Sequence, residues 1–351
     1  MNRRWLVLSI VLALPSSLLA QDRRWEIEGY AGVLAAQPAT AGSVTLPPPG
    51  APIVTSTPTF PARATSSWFV GDGATLLNGV LEEFERASRI APLDPLFAPL
   101  PPTHPAAFGF RVRRRVNPRV SLEVGVDAFG GSPIRAGDLT AIVDTARDSF
   151  APAFTDLFAS GPFARTAVAA QGSTDEGDLR ETAITAAFNR DVGRLGGLTP
   201  YFTVGAGAMV THGALPSSTL QGHYMTAILG EALIDETDRV AIRFTRATSM
   251  IVVIGGGARC DLSRAWGLRL DARVLVGPDT TRAVLDAQPI VARGAPAAFI
   301  ESFTNPAIQF SNDPATGRRS SLSGDALQDF QAFKGGVLAR TLVTFGVSRR
   351  F

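Results

Sequence analysis

Side-chain polarity that alternates with a period of two constrains the fold of this chain more than any other feature. Between 120 and 128 the even-numbered residues are all apolar, whereas the odd-numbered ones are Ser121, Glu123, Gly125 and Asp127. Successive side chains of a β-strand point to opposite faces, so this stretch predicts a strand with one apolar and one charged face. The same alternation appears near 25–33, 108–113, 268–274 and 343–348.

Three further stretches have the length of strands, at about 180–191, 199–210 and 251–261, which brings the predicted number to eight. The connections between them are long at about 36–104, 130–179, 211–250 and 277–336, and short elsewhere. Outer-membrane barrels combine short periplasmic turns with long extracellular loops, whereas a soluble β-sandwich has no reason to place every long connection at one end. We therefore predict an all-β fold, an antiparallel up-and-down transmembrane β-barrel of eight strands. Segment 223–247 also alternates, and a ten-stranded barrel is the alternative.

The first residues have the order of an export signal. Arg3 and Arg4 precede an apolar run from 5 to 14, and Ala20 lies just before Gln21. This order is typical of a cleaved signal peptide, and the run is too short to span a membrane as a helix. We expect residues 1–20 to be the signal peptide and residues 21–351 to be a barrel exported to the bacterial outer membrane.

Composition excludes several classes of protein. No run of about 18 apolar residues follows the N-terminus, which argues against helical membrane spans. The formal net charge is +2, and without Arg3 and Arg4 the chain is close to neutral, so nucleic acid is not an expected partner. Cys260 is the single cysteine, which excludes an intrachain disulfide.

The charged faces of the strands are expected to point into the barrel. Side chains fill an eight-stranded barrel, and charges there must be paired because an isolated buried charge is costly. The sequence predicts a lumen charge network of Glu26, Glu28, Arg111, Arg113, Glu123, Asp127, Arg259, Arg269, Asp271, Arg273 and Arg340. Arg115, Arg119, Glu181 and Asp261 are expected to point inward as well. One interpretation is a salt-bridged plug, and the other is a narrow pore with a charged constriction.

The end of the chain carries a family resemblance. Phe351 is preceded at alternate positions by Val343, Phe345 and Val347, which resembles the terminal signal that the barrel-assembly machinery reads. Arg349 departs from that pattern. The glycines at 255–257 and the alternating stretch 266–273 are similar to a hairpin of the OmpA/OmpX-type family of small eight-stranded outer-membrane barrels. The resemblance covers the strands and not the loops, and it implies outer-membrane lipid and the assembly machinery as partners.

The long connections hold a few local signals. Leu76, Leu77, Val80, Leu81 and Phe84 lie at helical spacing and predict a short amphipathic helix over about 75–88 in the first loop. The proline-rich part at about 37–65 is expected to be extended or disordered. Phe150, Phe154, Phe158 and Phe163 are expected to join a cap over the barrel mouth.

Residues with catalytic chemistry are few. The three histidines, His104, His212 and His223, all fall on the expected outer side, with no nucleophile motif and no metal-ligand spacing. We therefore predict no catalytic, metal or cofactor site. The expected function is a non-enzymatic outer-membrane barrel with a charge-filled lumen, whose surface loops serve envelope integrity, adhesion or recognition of an unidentified external ligand. The alternatives are a narrow, porin-like channel for small solutes and a hydrolase sited at the outer rim.

Overall fold

The structure is a computed structural model that describes residues 24–36, 42–53, 62–97, 105–130, 136–159, 165–228, 231–291, 307–310 and 320–351. The expected signal peptide, His104 and Phe163 lie outside these ranges.

Antiparallel strands make up most of the described chain. They are β1 (Trp25–Ala36), β2 (Ser43–Val44), β3 (Ala106–Asn117), β4 (Val120–Phe129), β5 (Arg165–Asp175), β6 (Arg180–Asp191), β7 (Leu198–His212), β8 (Ser217–Ile228), β9 (Glu231–Thr245), β10 (Ser249–Asp261), β11 (Trp266–Pro278), β12 (Arg282–Val291), β13 (Leu327–Lys334) and β14 (Val337–Arg350). Two α-helices, α1 (Gly71–Glu83) and α2 (Ala136–Phe158), and a 3₁₀ helix (Asp94–Phe97) lie between them.

Eight of these strands close into a barrel in the order β1-β14-β11-β10-β7-β6-β4-β3. Every neighbouring pair is antiparallel, and β1 closes the circle by pairing with both β14 and β3. The prediction of an all-β, eight-stranded up-and-down barrel is confirmed. The ten-stranded alternative is wrong, because β8 and β9, which contain segment 223–247, belong to a second sheet.

The barrel strands turn their apolar side chains outward and their charged side chains inward. Phe110, Val124 and Phe345 are among the large apolar residues exposed on the outer face, whereas Glu28 and Arg269 are buried inside. The short connections β3–β4, β6–β7 and β10–β11 all lie at one end of the barrel. The start of β1 and the end of β14 lie there too, and we call this the turn end.

The opposite end carries a second folded unit rather than separate loops. Strands β2, β13, β12, β9, β8 and β5 form a six-stranded sheet in that order. Helices α1 and α2 pack with this sheet around a continuous hydrophobic core that includes Trp68, Phe150, Phe154, Tyr224 and Phe310. We call the sheet and its two helices the outer domain.

The first connection is ordered where the structure describes it. The part at 37–65 was expected to be extended or disordered, and its described residues, 42–53 and 62–65, contain no helix and pair locally with the outer domain. Ser43–Val44 pairs with β13, and Ile53, Ala62 and Ala64 form a small buried cluster. These three apolar residues of the connection pack against one another.

The two helices also depart from the sequence prediction. The first begins four residues earlier than expected, at Gly71, and ends at Glu83 because Glu85 takes a left-handed conformation with φ of 55°. Helix α2 was not predicted at all, and it contains Pro152. Phe150, Phe154 and Phe158 line one face of α2 inside the core of the outer domain. In the described part of the chain, no helix has the length and apolar character needed to cross a membrane.

Candidate functional site

A compact group of charges fills the middle of the barrel. Its acidic members are Glu28, Glu123, Asp127 and Asp271, and its basic members are Arg111, Arg113, Arg269 and Arg273, all of them buried. The group is balanced in formal charge, as an enclosed space with little water requires. The strand alternation places all eight side chains in the interior because they sit at inward positions of β1, β3, β4 and β11.

The arginines of this group each contact more than one carboxylate. Arg111 lies 2.6 Å from Asp271 and 3.6 Å from Asp127. Arg269 lies 2.8 Å from Glu28 and 2.7 Å from Glu123. Arg273 lies 2.6 Å from both Glu123 and Asp271. These shared contacts join the charges into one network rather than separate ion pairs.

Two tyrosines extend the network toward the barrel wall. The Tyr201 hydroxyl donates to Asp271 at 3.0 Å and accepts from the Nε of Arg269. The Tyr30 hydroxyl donates to Asp127, and the guanidinium of Arg111 lies 4.0 Å from the centre of the Tyr30 ring. The sequence prediction omitted both tyrosines, although Tyr30 occupies the same alternating face as Glu26 and Glu28.

The remaining predicted network residues lie above and below this group. Toward the turn end, Glu26 is 3.6 Å from Arg113, and Arg259 pairs with Asp191. Toward the outer domain, Arg340 is 3.1 Å from Glu181. Glu181 also lies 3.2 Å from Arg246, which follows β9 and links the barrel to the outer domain.

Two residues that were expected to point inward lie at the turn end. Arg119 sits in the β3–β4 turn and is exposed, because the alternation ends with the strand. Asp261 is the last residue of β10, two positions after Arg259 on the same face, and it contacts Arg350 and Arg194 at the rim of the barrel.

An apolar layer lies in the barrel between the charge network and the outer domain. Every barrel strand contributes to it, through Leu34, Ala107, Phe129, Ala183, Met209, Ile251, Val253, Leu275 and Leu342. This layer was missed in the sequence because its members share the inward face with polar residues. The signal was nevertheless present, since Leu34 and Leu342 continue the inward positions of β1 and β14.

The outer domain buries a second set of polar groups. Glu236 accepts hydrogen bonds from the hydroxyls of Tyr224 and Ser320. Asp238 accepts from the Ser67 hydroxyl at 3.0 Å and from the backbone N–H of Trp68 at 2.6 Å. Within the described residues neither carboxyl has a basic partner in an ion pair.

Burial of Glu236 and Asp238 without a cationic partner changes the pKa values of both carboxyls. Desolvation raises the pKa of Glu236 to about 7 and that of Asp238 to about 7, in each case against the opposing effect of the hydrogen bonds. The pKa of Tyr224 is also raised by burial and by Glu236 beside it. The two carboxyls tie β9 to the segment before α1 and to the segment before β13.

The other residues singled out in the sequence lie on the surface. Val343, Phe345 and Val347 are exposed on the outer face of β14, and the guanidinium of Arg349 lies 5.0 Å from the centre of the Phe351 ring. His212 is exposed at the end of β7, and His223 lies on β8 with its Nε2 2.9 Å from Asp235. The described residues contain no group of three His, Cys, Asp or Glu side chains that would suit a metal ion.

The comparisons with known proteins found solved structures alone. No protein-family model matches the sequence, and no curated protein matches it. Neisserial surface protein A aligns over 93% of this chain and 97% of its own, at 8% identity and a TM-score of 0.31. The toluene transporter TbuX of Ralstonia pickettii aligns over 98% and 93%, at 8% identity and 0.18. A FadL homologue of Pseudomonas aeruginosa aligns over 93% and 90%, at 7% identity and 0.15.

Proposed function

We propose that this chain is a non-enzymatic outer-membrane protein whose closed barrel anchors a folded outer domain at the cell surface. The observation that carries the proposal is the state of the barrel interior. A charge-balanced network occupies its middle, and an apolar cluster with members from every barrel strand lies above it. A barrel filled in this way is suited to anchoring rather than to conducting solutes.

The outer domain supports the same proposal. It has a larger hydrophobic core than the barrel and buries its own polar network. Loops that fold into a domain offer a fixed surface to an external ligand, which favours recognition or adhesion. A groove of about 250 Å³ on this domain, lined by Pro47, Thr65, Asp72 and Asp325 among others, is one place where such a ligand could be held.

Conductance separates this function from that of a small-solute channel. Purified protein inserted in a planar lipid bilayer should give no discrete openings. Stable openings of uniform size in the unaltered protein would contradict the anchoring role and favour the channel.

The orientation can be tested at one residue. Lys334 is the only lysine in the chain, and it is exposed on β13 of the outer domain. An amine-reactive reagent that does not cross membranes should modify Lys334 on intact cells, as read by peptide mass spectrometry. Lys334→Arg is the matched control and should remove the signal. Modification that needs a permeabilised outer membrane would mean that the outer domain faces the periplasm.

A further inference from the structure

The exposed face of the outer-domain sheet carries a row of polar side chains that crosses four strands. Gln171 of β5 lies directly opposite Gln221 of β8, Gln221 lies opposite Arg239 of β9, and Arg239 lies opposite Gln288 of β12. Directly opposite residues of an antiparallel pair share a face of the sheet. Gln171, Arg239 and Gln288 are exposed, and Gln221 is partly exposed. We call these four residues the polar row.

The side chains of the polar row have no partners in the described part of the chain. None of them forms a hydrogen bond or an ion pair with another described residue. The nearest charged side chains on the same face are instead paired, since Nε2 of His223 lies 2.9 Å from Asp235 and Arg243 lies 2.7 Å from Asp286. The guanidinium of Arg239 and the three amides therefore remain available to a group outside the chain.

A shallow groove lies beside the polar row on this face. It has a volume of about 340 Å³ and is lined by Gln171, Ser173, Thr219, Gln221 and Arg239, among others. The hydroxyls of Ser173 and Thr219 lie 2.8 Å apart and bond each other. Arg239 is the only charged residue in the lining. The groove therefore offers neutral hydrogen-bonding groups together with a single cation.

These side-chain types indicate the chemistry that the groove can recognise. A primary amide both donates and accepts hydrogen bonds, as a sugar hydroxyl does. A guanidinium presents a planar set of donors that fits a carboxylate through two parallel hydrogen bonds. Neighbouring strands lie about 4.8 Å apart, so a row across four strands extends over roughly 14 Å. This length suits a chain of several sugar rings better than a small organic acid.

The single cation limits the charge density of the ligand. Nucleic acids and heavily sulfated polymers are bound by clusters of several basic side chains, whereas the polar row contains Arg239 alone. Asp286 is the one carboxylate in the two flanking rows, and it is engaged by Arg243 and by the backbone N–H of Asp329. The row therefore keeps a net positive charge that suits one carboxylate among neutral sugars.

We propose that the polar row binds an acidic glycan in which carboxylates are spaced among neutral sugar units. Arg239 binds one carboxylate, and Gln171, Gln221 and Gln288 bind hydroxyls of the neighbouring sugars. The proposal rests on the proposed function, because recognition of an external glycan needs the outer domain at the cell surface.

Titration of the purified protein in detergent micelles provides the test. The probes are hyaluronan oligosaccharides, unsulfated chondroitin oligosaccharides and sialyllactose, each compared with its own methyl ester, which keeps the sugars and removes the negative charge. At least one acid should bind about tenfold more tightly than its ester, because the ester cannot form charge-assisted hydrogen bonds. Dextran sulfate, which has a high charge density and no carboxylate, should bind more weakly than that acid.

Variants locate the binding. Arg239→Gln should weaken binding of the acid about fivefold or more and leave the ester unchanged. Arg239→Lys keeps the charge without the planar fork and should restore only part of the affinity. Gln171→Ala with Gln288→Ala should weaken the acid and its ester alike. The control is Arg282→Gln, which removes the same charge from an exposed residue of β12, three rows from Gln288, and should change neither affinity.

Folding of each variant is checked by heat-modifiable mobility on gels. Folded protein that binds no acid more tightly than its ester, or that binds dextran sulfate most tightly, would overturn the glycan site and leave the proposed function standing. Equal losses of affinity in Arg239→Gln and Arg282→Gln would also overturn it, because net charge alone would then explain the binding. Discrete conductance, or labelling of Lys334 only in permeabilised cells, would instead overturn the proposed function, whereas the titrations test the polar row in either case.

Discussion

Arg269 and Glu123 stand on opposite sides of the barrel, on β11 and β4, and their side chains meet at 2.7 Å. Three strands lie between β11 and β4 in either direction around the circle, so this contact crosses the full width of the interior. The two side chains therefore bridge the lumen at this level.

The first prediction concerns charge balance in the network. Asp271→Asn removes one negative charge from between Arg111 and Arg273, both of which lie 2.6 Å from this carboxylate. Four arginines of the central group then face three carboxylates. Removing one partner of a buried ion pair costs about 3–5 kcal/mol, so we expect the urea midpoint of the barrel in micelles to fall clearly.

Asp286→Asn is the control for this loss. Asp286 lies 2.7 Å from Arg243 on the outer domain, where Arg243 is half exposed. An exposed ion pair contributes about 1 kcal/mol or less, so this variant should unfold close to the wild-type midpoint. Equal midpoints for the two variants would mean that the interior is well hydrated.

The second prediction concerns the core of the outer domain. The ring of Phe150 lies directly on Gly222 of β8, so a Cβ at that position would overlap ring carbons. Gly222→Ala should therefore destabilise the outer domain by about 1–3 kcal/mol, the usual cost of overpacking. The control is Gly79→Ala on the exposed face of α1, where a Cβ meets nothing within 4 Å. It should stabilise the domain by about 0.5–1 kcal/mol.

Limited proteolysis distinguishes these two variants. Arginines are abundant in the outer domain, so trypsin should cut Gly222→Ala faster than wild type while heat-modifiable barrel persists. A Gly222→Ala protein as resistant as Gly79→Ala would show that Phe150 has room to move.

The third prediction concerns pH. Burial raises the pKa of Glu236 from 4.5 to about 7 and that of Asp238 from 3.8 to about 7. The folded state therefore holds these protons at pH values where the unfolded state has released them. The stability that these two protonated carboxyls contribute is fully present at pH values below their pKa values in the unfolded chain. It is lost as the pH rises through about 7. The loss is on the order of 3 kcal/mol for each carboxyl.

Trp68 allows the outer domain to be followed alone. In a chain from Gln21 onward with Trp25→Phe and Trp266→Phe, Trp68 is the single tryptophan, and it is fully buried. Its fluorescence should give a higher urea midpoint at pH 5 than at pH 8. Adding Glu236→Gln should reduce this difference, because the amide stays neutral at both values. A higher midpoint at pH 8 would contradict the assignment of Glu236 and Asp238 as protonated in the folded outer domain.

The fourth prediction concerns assembly. Phe345 is 55% exposed on the outer face of β14, and a charge on the lipid side of a barrel strand is unfavourable at depth. Phe345→Asp should cost at least about 1 kcal/mol and lower the folded fraction in the outer membrane. Val337→Asp lies at the far end of the same strand, where the cost falls toward zero. Deletion of Phe351 should also lower the folded fraction; wild-type amounts would show that it is no assembly signal.

The barrel could be predicted from the sequence because the side chains on the two faces of each strand match the two environments that those faces contact. In β4 the alternation of Leu122 and Val124 with Glu123 and Asp127 is a local property, fixed by lipid-like surroundings on one side and charges on the other. The partners of each charge are not local. Arg269 and Glu123 lie far apart in the chain, and nothing in either strand alone specifies that they meet.

The outer domain was harder to predict for the same physical reason. Strand β5 consists largely of small and polar residues, and its pairing with β8 depends on α2 covering it. Pro152 argues against a helix when α2 is considered alone, yet Phe150 and Phe154 gain enough burial in the core to maintain it. Glu236 and Asp238 resemble ordinary solvent-facing charges of a strand until their partners from other connections are placed beside them.

The filled barrel has a consequence for the order in which the protein is made. Strand β14 closes the circle against β1 and follows directly on β13 of the outer domain. Once that seam is shut, the interior has no room for another segment of chain. With the outer domain outside, as proposed, the segments that build it must cross the plane of the membrane while the seam between β1 and β14 is still open. Translocation of the four long connections must therefore precede closure. Once β14 has paired with β1, the translocated segments can no longer return through the barrel.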